Sequence, residues 1–435
     1  MHLPLDSTFD FVAVALKIVR GKDLERINVL LKFVHINDTA HELSAAEQLD
    51  TVNQTYNRPY SMRFNVQSKA LYAALSSVSK VINSKNAMTI LNNFLFEVED
   101  EQLKITASDM ENTLSTSIPI SAVEGSGDFC VDARRCVELF KELPELMIDF
   151  VIEDNLSVHI DYPGGVFNFV AIPGKEYPRK ANEDEAETLS FNCPVSQIID
   201  GIDHTLFAVG TDDLRPQMMG ILLDIKEDGI TFVATDTRKL VKYVNRISAP
   251  GVEGSFILPT KPANIIKNVF SKEENIKISL DNKSASVETE NFTFTFQLIK
   301  GNFPPYNNVI PKQNPYMLTV DRVSLINALR RVGVFVDPSH GLVKFRISPE
   351  SLEMKAQDNN FCTSGRETLP CCFTGQQIVI GFSAPYLIDI CGTLSTDNII
   401  IRLSDPSRPG VFLPEEDKPD TELLMLLMPM TVGEF

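Results

Sequence analysis

The triplet Ala234-Thr235-Asp236, set within the stretch from Ile230 to Tyr243, has two echoes in the same chain. Ala107-Ser108-Asp109 lies 127 positions earlier and Ala356-Gln357-Asp358 lies 122 positions later. Self-similarity at so long a period means a repeated structural unit. In 435 residues it leaves room for three copies of ordinary domain size, each able to bury its own core.

Other strings keep the same period. Met62-Arg63-Phe64-Asn65 returns as Leu189-Ser190-Phe191-Asn192 and more loosely as Met317-Leu318-Thr319-Val320. Helical apolar spacing follows each time: Leu71, Leu75, Val78 and Ile82; Val195, Ile198, Ile199, Ile202 and Leu206; Leu325, Leu329 and Val332. Short alternating runs then predict hairpins, Phe94 to Val98 with Leu103 to Ala107, Ile221 to Ile225 with Ile230 to Ala234, and Val343 to Ile347 with Leu352 to Ala356. The second half of each copy repeats the plan, with helices predicted over Asp132 to Leu143, Lys261 to Phe270 and Ala384 to Gly392. The charged run Asn182 to Glu187 and the proline-bounded Pro311 to Pro315 read as linkers.

Three domains are therefore expected near 62–180, 188–310 and 316–432. Each is α+β, with two helices packed on antiparallel sheets of about eight strands. End-to-end sheet pairing between domains and subunits would remove the exposed strand edges of such units. Residues 1–61 match none of the copies; they read as an extension, or as a start placed too early with Met62 as the functional beginning, a tethering segment being the alternative.

Seven cysteines without CxxC spacing argue for buried reduced thiols and a cytoplasmic location. No apolar run approaches the roughly 20 residues that span a bilayer, so no membrane is expected. The formal charge of -18 repels nucleic acid on average, and any contact with it must be local.

Three such domains, together with Val233 to Leu240 and Leu427-Met428-Pro429-Met430 near the chain end, resemble the beta subunit of bacterial DNA polymerase III, the sliding clamp family. The resemblance covers Met62 to about Val432. It implies a non-catalytic processivity factor without cofactor: a head-to-tail homodimer whose six domains ring duplex DNA without sequence specificity. It also implies a replicative polymerase, a clamp loader, and repair polymerases and ligase-type proteins as partners. In this family the helices line the hole. The predicted helices carry 10 Lys and Arg against 7 Asp and Glu, net positive where the chain is strongly negative. Lys85, Arg134 and Lys261 match the family's DNA-facing basic positions, where phosphate attraction carries no sequence information.

The resemblance also implies a peptide pocket. By matching position, it is built from Arg215, Met218, Thr235, Thr237, Arg238, Leu240, Pro304, Val309, Leu426, Met428, Pro429 and Met430. Apolar walls with polar rims suit a peptide anchor, and flexible Met tolerates several ligands. Leu424 and Leu426 can equally be read as part of a last core strand, whereas Pro429 does not fit an interior strand position. Two departures bear on peptide preference: Thr237-Arg238-Lys239 stands where the family often has Gly-His-Arg, and the tail runs on to Phe435.

The enzyme readings are weaker. Gly381 to Pro385 lacks the last Gly of a nucleophile elbow, and Ser383 aligns with Asp132 and Pro259 in the other copies. Asp203, His204, Asp212 and Asp213 have no second ligand group at metal spacing. Gly125-Ser126-Gly127 lacks the rest of a phosphate fingerprint, and Cys371-Cys372 reads as buried strand. A non-ring scaffold or enzyme on the same repeats is the competing class, and mass in solution separates the two.

Overall fold

A computed structural model of the chain describes residues 60–179, 189–281, 283–337, 340–358 and 361–433. The expected N-terminal extension, up to residue 59, and the linker Asn182 to Glu187 lie outside the described residues.

The first copy runs β1 (Tyr60–Gln67), α1 (Ser68–Val78), β2 (Asn93–Glu99), β3 (Gln102–Ser108), β4 (Asn112–Pro119), β5 (Ser121–Glu124), β6 (Gly127–Asp132), α2 (Ala133–Glu142), β7 (Met147–Glu153), β8 (Ser157–Tyr162), β9 (Gly165–Val170) and β10 (Ile172–Pro173). The second runs β11 (Leu189–Pro194), α3 (Val195–Thr205), β12 (Gly220–Lys226), β13 (Gly229–Thr235), β14 (Lys239–Asn245), β15 (Gly254–Pro259), α4 (Thr260–Val269), β16 (Asn275–Leu280), β17 (Ser284–Glu288) and β18 (Phe292–Gln297). The third runs β19 (Tyr316–Asp321), α5 (Arg322–Val332), β20 (Leu342–Ser348), β21 (Ser351–Asp358), β22 (Thr363–Pro370), β23 (Cys372–Phe373), β24 (Ile378–Ser383), α6 (Ala384–Thr393), β25 (Asn398–Leu403), β26 (Gly410–Pro414) and β27 (Thr421–Leu427).

Local chemistry sets these boundaries. Asp132 and Asp321 cap α2 and α5 by accepting from the amides of Arg135 (2.8 Å) and Ser324 (2.7 Å), which satisfies otherwise orphaned donors of the first turn. The helices pair within each copy, α1 with α2, α3 with α4 and α5 with α6, and bury Leu71, Leu75, Ile198, Ile202, Leu325 and Leu329 against the sheets. Aromatic contacts such as Phe64 stacked on Phe150, with centroids 4.9 Å apart, fill the layer between.

The copies are joined by their sheets. β4 of the first copy pairs antiparallel with β18 of the second, Thr113 opposite Thr295, in a nine-stranded sheet. β14 of the second pairs with β27 of the third, Leu240 opposite Leu426, in another. Strand edges of neighbouring domains thus satisfy each other's backbone groups, as the repeat plan anticipates. Two equivalent edges have no neighbouring strand among the described residues: β9 ends a five-stranded sheet and β22 a four-stranded one.

A helix-to-hairpin contact reinforces each internal junction. At the first, Lys261 at the start of α4 reaches the β3–β4 turn, with its ammonium 2.6 Å from Asp109 Oδ2 and 2.6 Å from Asn83 Oδ1 and also bonded to the Val81 carbonyl. Lys261, expected among the DNA-facing residues, is thus ion-paired across the junction to a carboxylate that is almost fully buried. At the second, the Lys239 ammonium lies 2.8 Å from Asp236 and 4.0 Å from the centre of the Tyr386 ring of α6.

Burial works to raise the Asp109 pKa, but hydrogen bonds from Lys261 and Asn112 prevail and hold it below the ordinary carboxylate value. A depressed folded pKa contributes stability above the unfolded value, and that contribution fades as pH falls below about 4. Lys261→Met should therefore cost about 1 to 2 kcal/mol at pH 7, the partly exposed ammonium counting for less than a fully buried one. Urea unfolding of the variant and the parent at pH 7 and pH 3.5 checks this. An equal gap at both values would show that the carboxylate is not the source.

The cysteine expectation needs correction. Cys130, Cys136, Cys193 and Cys391 are buried, and burial pushes the Cys193 thiol up to about 12. Cys362 and Cys372 are exposed, and Cys371 is half-buried, because they sit in a hairpin turn and on the short strand β23 at a sheet edge.

Candidate docking site at the second domain junction

Strands β13 and β14 are buried on both faces. Phe232 and Tyr243 face the helices, and the alternate residues form a second, smaller apolar cluster on the outer face of the sheet. Leu222, Val233, Leu240, Ile257 and Leu426 make its floor, with Ile299, Phe303 and Tyr306 of the connecting segment packed against it. Tyr306 Oη donates to Asp224 Oδ2 (3.3 Å), and burial together with that carboxylate pushes its phenol above the ordinary range.

One wall is the turn Pro216–Met218, held by Met218 N–H donating to the Arg215 carbonyl (2.9 Å) and Gly210 N–H to the Met218 carbonyl (2.8 Å). Gly301, at φ 110°, lets Gln217 pack against the backbone, since a Cβ there would lie 3.0 Å from its side chain. The opposite wall is the chain end: Met428 N–H donates to the Arg238 carbonyl (2.8 Å), and Met430 N–H donates to the Gly381 carbonyl (2.8 Å).

Two of the residues expected in the pocket, Leu240 and Leu426, belong to this cluster. Leu240 and Leu426 are floor; Met218, Pro304, Pro429 and Met430 are half-buried; Val309 and Met428 remain 53% and 41% exposed. Arg215, Thr237 and Arg238 stand exposed at the rim. Thr235 is buried. Its buried hydroxyl donates to the Lys239 carbonyl (2.7 Å) and accepts from the Thr237 amide (3.1 Å), as Ser108 does for Asn112 and Met110 in the first copy. It is hairpin scaffold, and so is Asp236, whose Oδ1 accepts from the Arg238 and Lys239 amides. Thr237, at φ 78°, occupies a left-handed position that suits the Gly the family often carries there.

The three copies explain why the cleft is at this junction. In the first, the outer-face counterparts of Val233, Leu240 and Leu426 are Thr106, Thr113 and Thr295, and buried Tyr177 stands at the position of Pro304 and packs with Leu91 and Leu95. In the third, Lys344, Lys355, Ser364 and Gly381 take the outer-face positions, and Val432 of the tail lies where a Cβ at Gly381 would be. Among the described residues, the middle copy is the one with aliphatic side chains at all five of these floor positions. The floor residues Leu222, Val233 and Ile257 were missed from sequence, although aligning the copies position by position marks them as apolar where both siblings are not uniformly so.

Three of the residues weighed for catalysis have structural partners. His204 stacks on Tyr243 with centroids 4.3 Å apart, with its Nδ1 2.6 Å from the Asp200 carbonyl. Asp203 pairs with Lys267, and Asp212 accepts from the Leu214 amide (3.0 Å). Ser383 is the half-buried residue before α6.

A three-copy frame with continuous interdomain sheets and an outer apolar cluster at the second junction defines a clamp-type scaffold. Models of the DNA polymerase III beta subunit match the N-terminal domain at residues 62–181, the central domain at 192–305 and the C-terminal domain at 307–431. The beta sliding clamp of Chlamydia muridarum is 28% identical over 378 residues, covering 86% of this chain and 100% of that one. That of Vibrio cholerae is 24% identical, covering 85% and 100%. The crystal structure of the Pseudomonas aeruginosa sliding clamp bound to griselimycin superposes with a TM-score of 0.80 at 26% identity, covering 86% and 100%. The chain belongs to the DNA polymerase III beta subunit family. It is a non-catalytic processivity factor that partners DNA and the polymerase.

Proposed function

We propose that two copies close head to tail into a ring of six domains, at 62–180, 188–310 and 316–432 of each, around duplex DNA. The observation that carries this is the junction rule. Each internal joint pairs the third hairpin strand of one copy with the third strand after the second helix of the next, and among the described residues β22 and β9 are the two such strands left over. Carried over in register, the rule sets Ser364 opposite Asn168 and Arg366 opposite Val166 of a second copy. A heterologous contact of this kind makes a closed ring when its rotation closes.

Within the ring, exposed Lys85 and Arg134, the latter paired with Glu138 (2.9 Å), contribute local attraction to phosphates, with Lys80, Arg135 and Arg330 as further exposed cations on or beside the helices. Such contacts position without reading sequence and leave the ring free to slide. The cleft at the second junction holds apolar peptides of the replicative polymerase, the clamp loader, repair polymerases and ligase-type proteins. Griselimycin, bound in the Pseudomonas structure, is a ligand whose competition with such peptides tests this reading. Among the described residues no helix is long and apolar enough to cross a membrane, and the cytoplasm is the proposed location.

Topological linkage has a direct test. After loading onto a nicked circular plasmid, the protein should stay bound through gel filtration in about 0.2 M salt, where simple phosphate contacts weaken steeply. It should leave once the circle is linearised. Equal retention on both forms would mean that affinity, and not encirclement, holds it.

A further inference from the structure

The outer-face row that begins at Leu240 and Leu426 continues along the same two strands. In the β14–β27 register Lys242 stands opposite Leu424 and Val244 opposite Glu422, and the two-residue alternation keeps them on the face of Leu240 and Leu426. The connecting segment walls this row through Ile310 and Lys312, leaving a cleft of about 290 Å³ beside the docking site. Its floor is aliphatic, from Val244 and Leu424. Its charge is basic: Glu422 is paired with Arg246 at 2.8 Å, whereas half-buried Lys242 and exposed Lys312 make no ion pair among the described residues.

We infer that this cleft is a second subsite continuous with the docking site, and that it takes an acidic side chain flanking the apolar anchor of a docked peptide. Same-face residues on a strand are about 7 Å apart, so an extended ligand anchored over Leu240 reaches Lys242 and Val244 after roughly two to four residues. The row leaves the anchor in one direction, so a single flank of the peptide benefits. A carboxylate between two ammoniums over an apolar floor gains charge-assisted contacts that an amide does not. In a chain of net charge -18 this local reversal of sign distinguishes acid-flanked ligands from neutral ones.

This rests on the docking reading of the neighbouring site, and fluorescence polarisation on the full chain separates the two. The probes are labelled peptides with a central Leu-Phe pair, extended on one flank or the other by Glu or by isosteric Gln two, three and four residues away. Glu on one flank should bind about tenfold tighter than Gln at 50 mM salt, with the advantage shrinking at 500 mM. In Lys242→Ala combined with Lys312→Ala the ratio of Glu to Gln affinities should fall to about one. Equal binding of Glu and Gln peptides to the parent protein overturns the subsite alone. A ratio that persists in the double variant assigns the discrimination elsewhere and overturns it too. No binding of any peptide overturns the docking reading and the subsite together.

Discussion

Met428→Asp combined with Val309→Asp should weaken binding of an apolar polymerase-derived peptide at least a hundredfold while leaving thermal stability and oligomeric mass unchanged. Both side chains are partly exposed and belong to none of the buried core clusters, so neither supports the core. Each is placed to close over a ligand's apolar anchor, and loss of such a contact costs on the order of 2 kcal/mol. Two of them approach a thousandfold if additive, and shared contacts with one anchor bring the figure down. Peptide titration with mass measurement on the same samples checks this. Near-parental affinity would remove the cleft from the docking reading. Deleting Met428 to Phe435 is a harsher form of the experiment, because the tail also pairs Met430 with Gly381 and covers β24. A loss of dimer in that truncation would assign the tail to the fold.

The parent protein should run at about twice 48.5 kDa at micromolar concentration, and Phe335→Glu should run as a monomer of 48.5 kDa. The reason lies at the open edge β22. Gly365 has no side chain to offer the face that Leu114 and Val241 fill at the internal junctions, and the Phe335 ring stands in, within 2.5 Å of where a Cβ would be. In the proposed register Phe167 and Phe169 of the second copy pack on that ring. Beside it Val334 is 77% exposed, and Val170 on β9 is 83% exposed, apolar surface out of character with a free edge. A buried unpaired carboxylate costs on the order of 3 kcal/mol. The ring has two identical junctions, so the lesion counts twice and weakens the dimer roughly ten-thousandfold. Dimeric Phe335→Glu would place the subunit contact on another surface.

Far more of the frame than of the cleft was legible in the residues. The period of 127 carries Leu71 to Ile198 and Ala107 to Ala234 with little change, because every copy must bury the same helix and hairpin faces. The helix expected over Asp132 to Leu143 appears as α2, which Asp132 caps. The roles of individual polar groups were not legible in this way. Thr235 reads as a pocket residue by position, yet its hydroxyl is spent within the hairpin. Lys261 reads as a phosphate contact, yet its ammonium is drawn to Asp109. Such assignments depend on partners far away in sequence, 152 residues away for Lys261 and Asp109.

The stretch from Ile230 to Tyr243 shows the division. Its sequence alone determined that it is a repeated strand and hairpin, since alternation, the Asp-capped turn and two echoes are all local. Only the tertiary structure decided that its outer face is a cleft. That required β14 to pair with β27, the connecting segment to pass over Leu222 and Val233, and Met428 to bond to Arg238. The strand pairing and the Met428 bond join segments nearly 200 residues apart. They are set by which strand edges and apolar faces are left to be satisfied after each copy has folded.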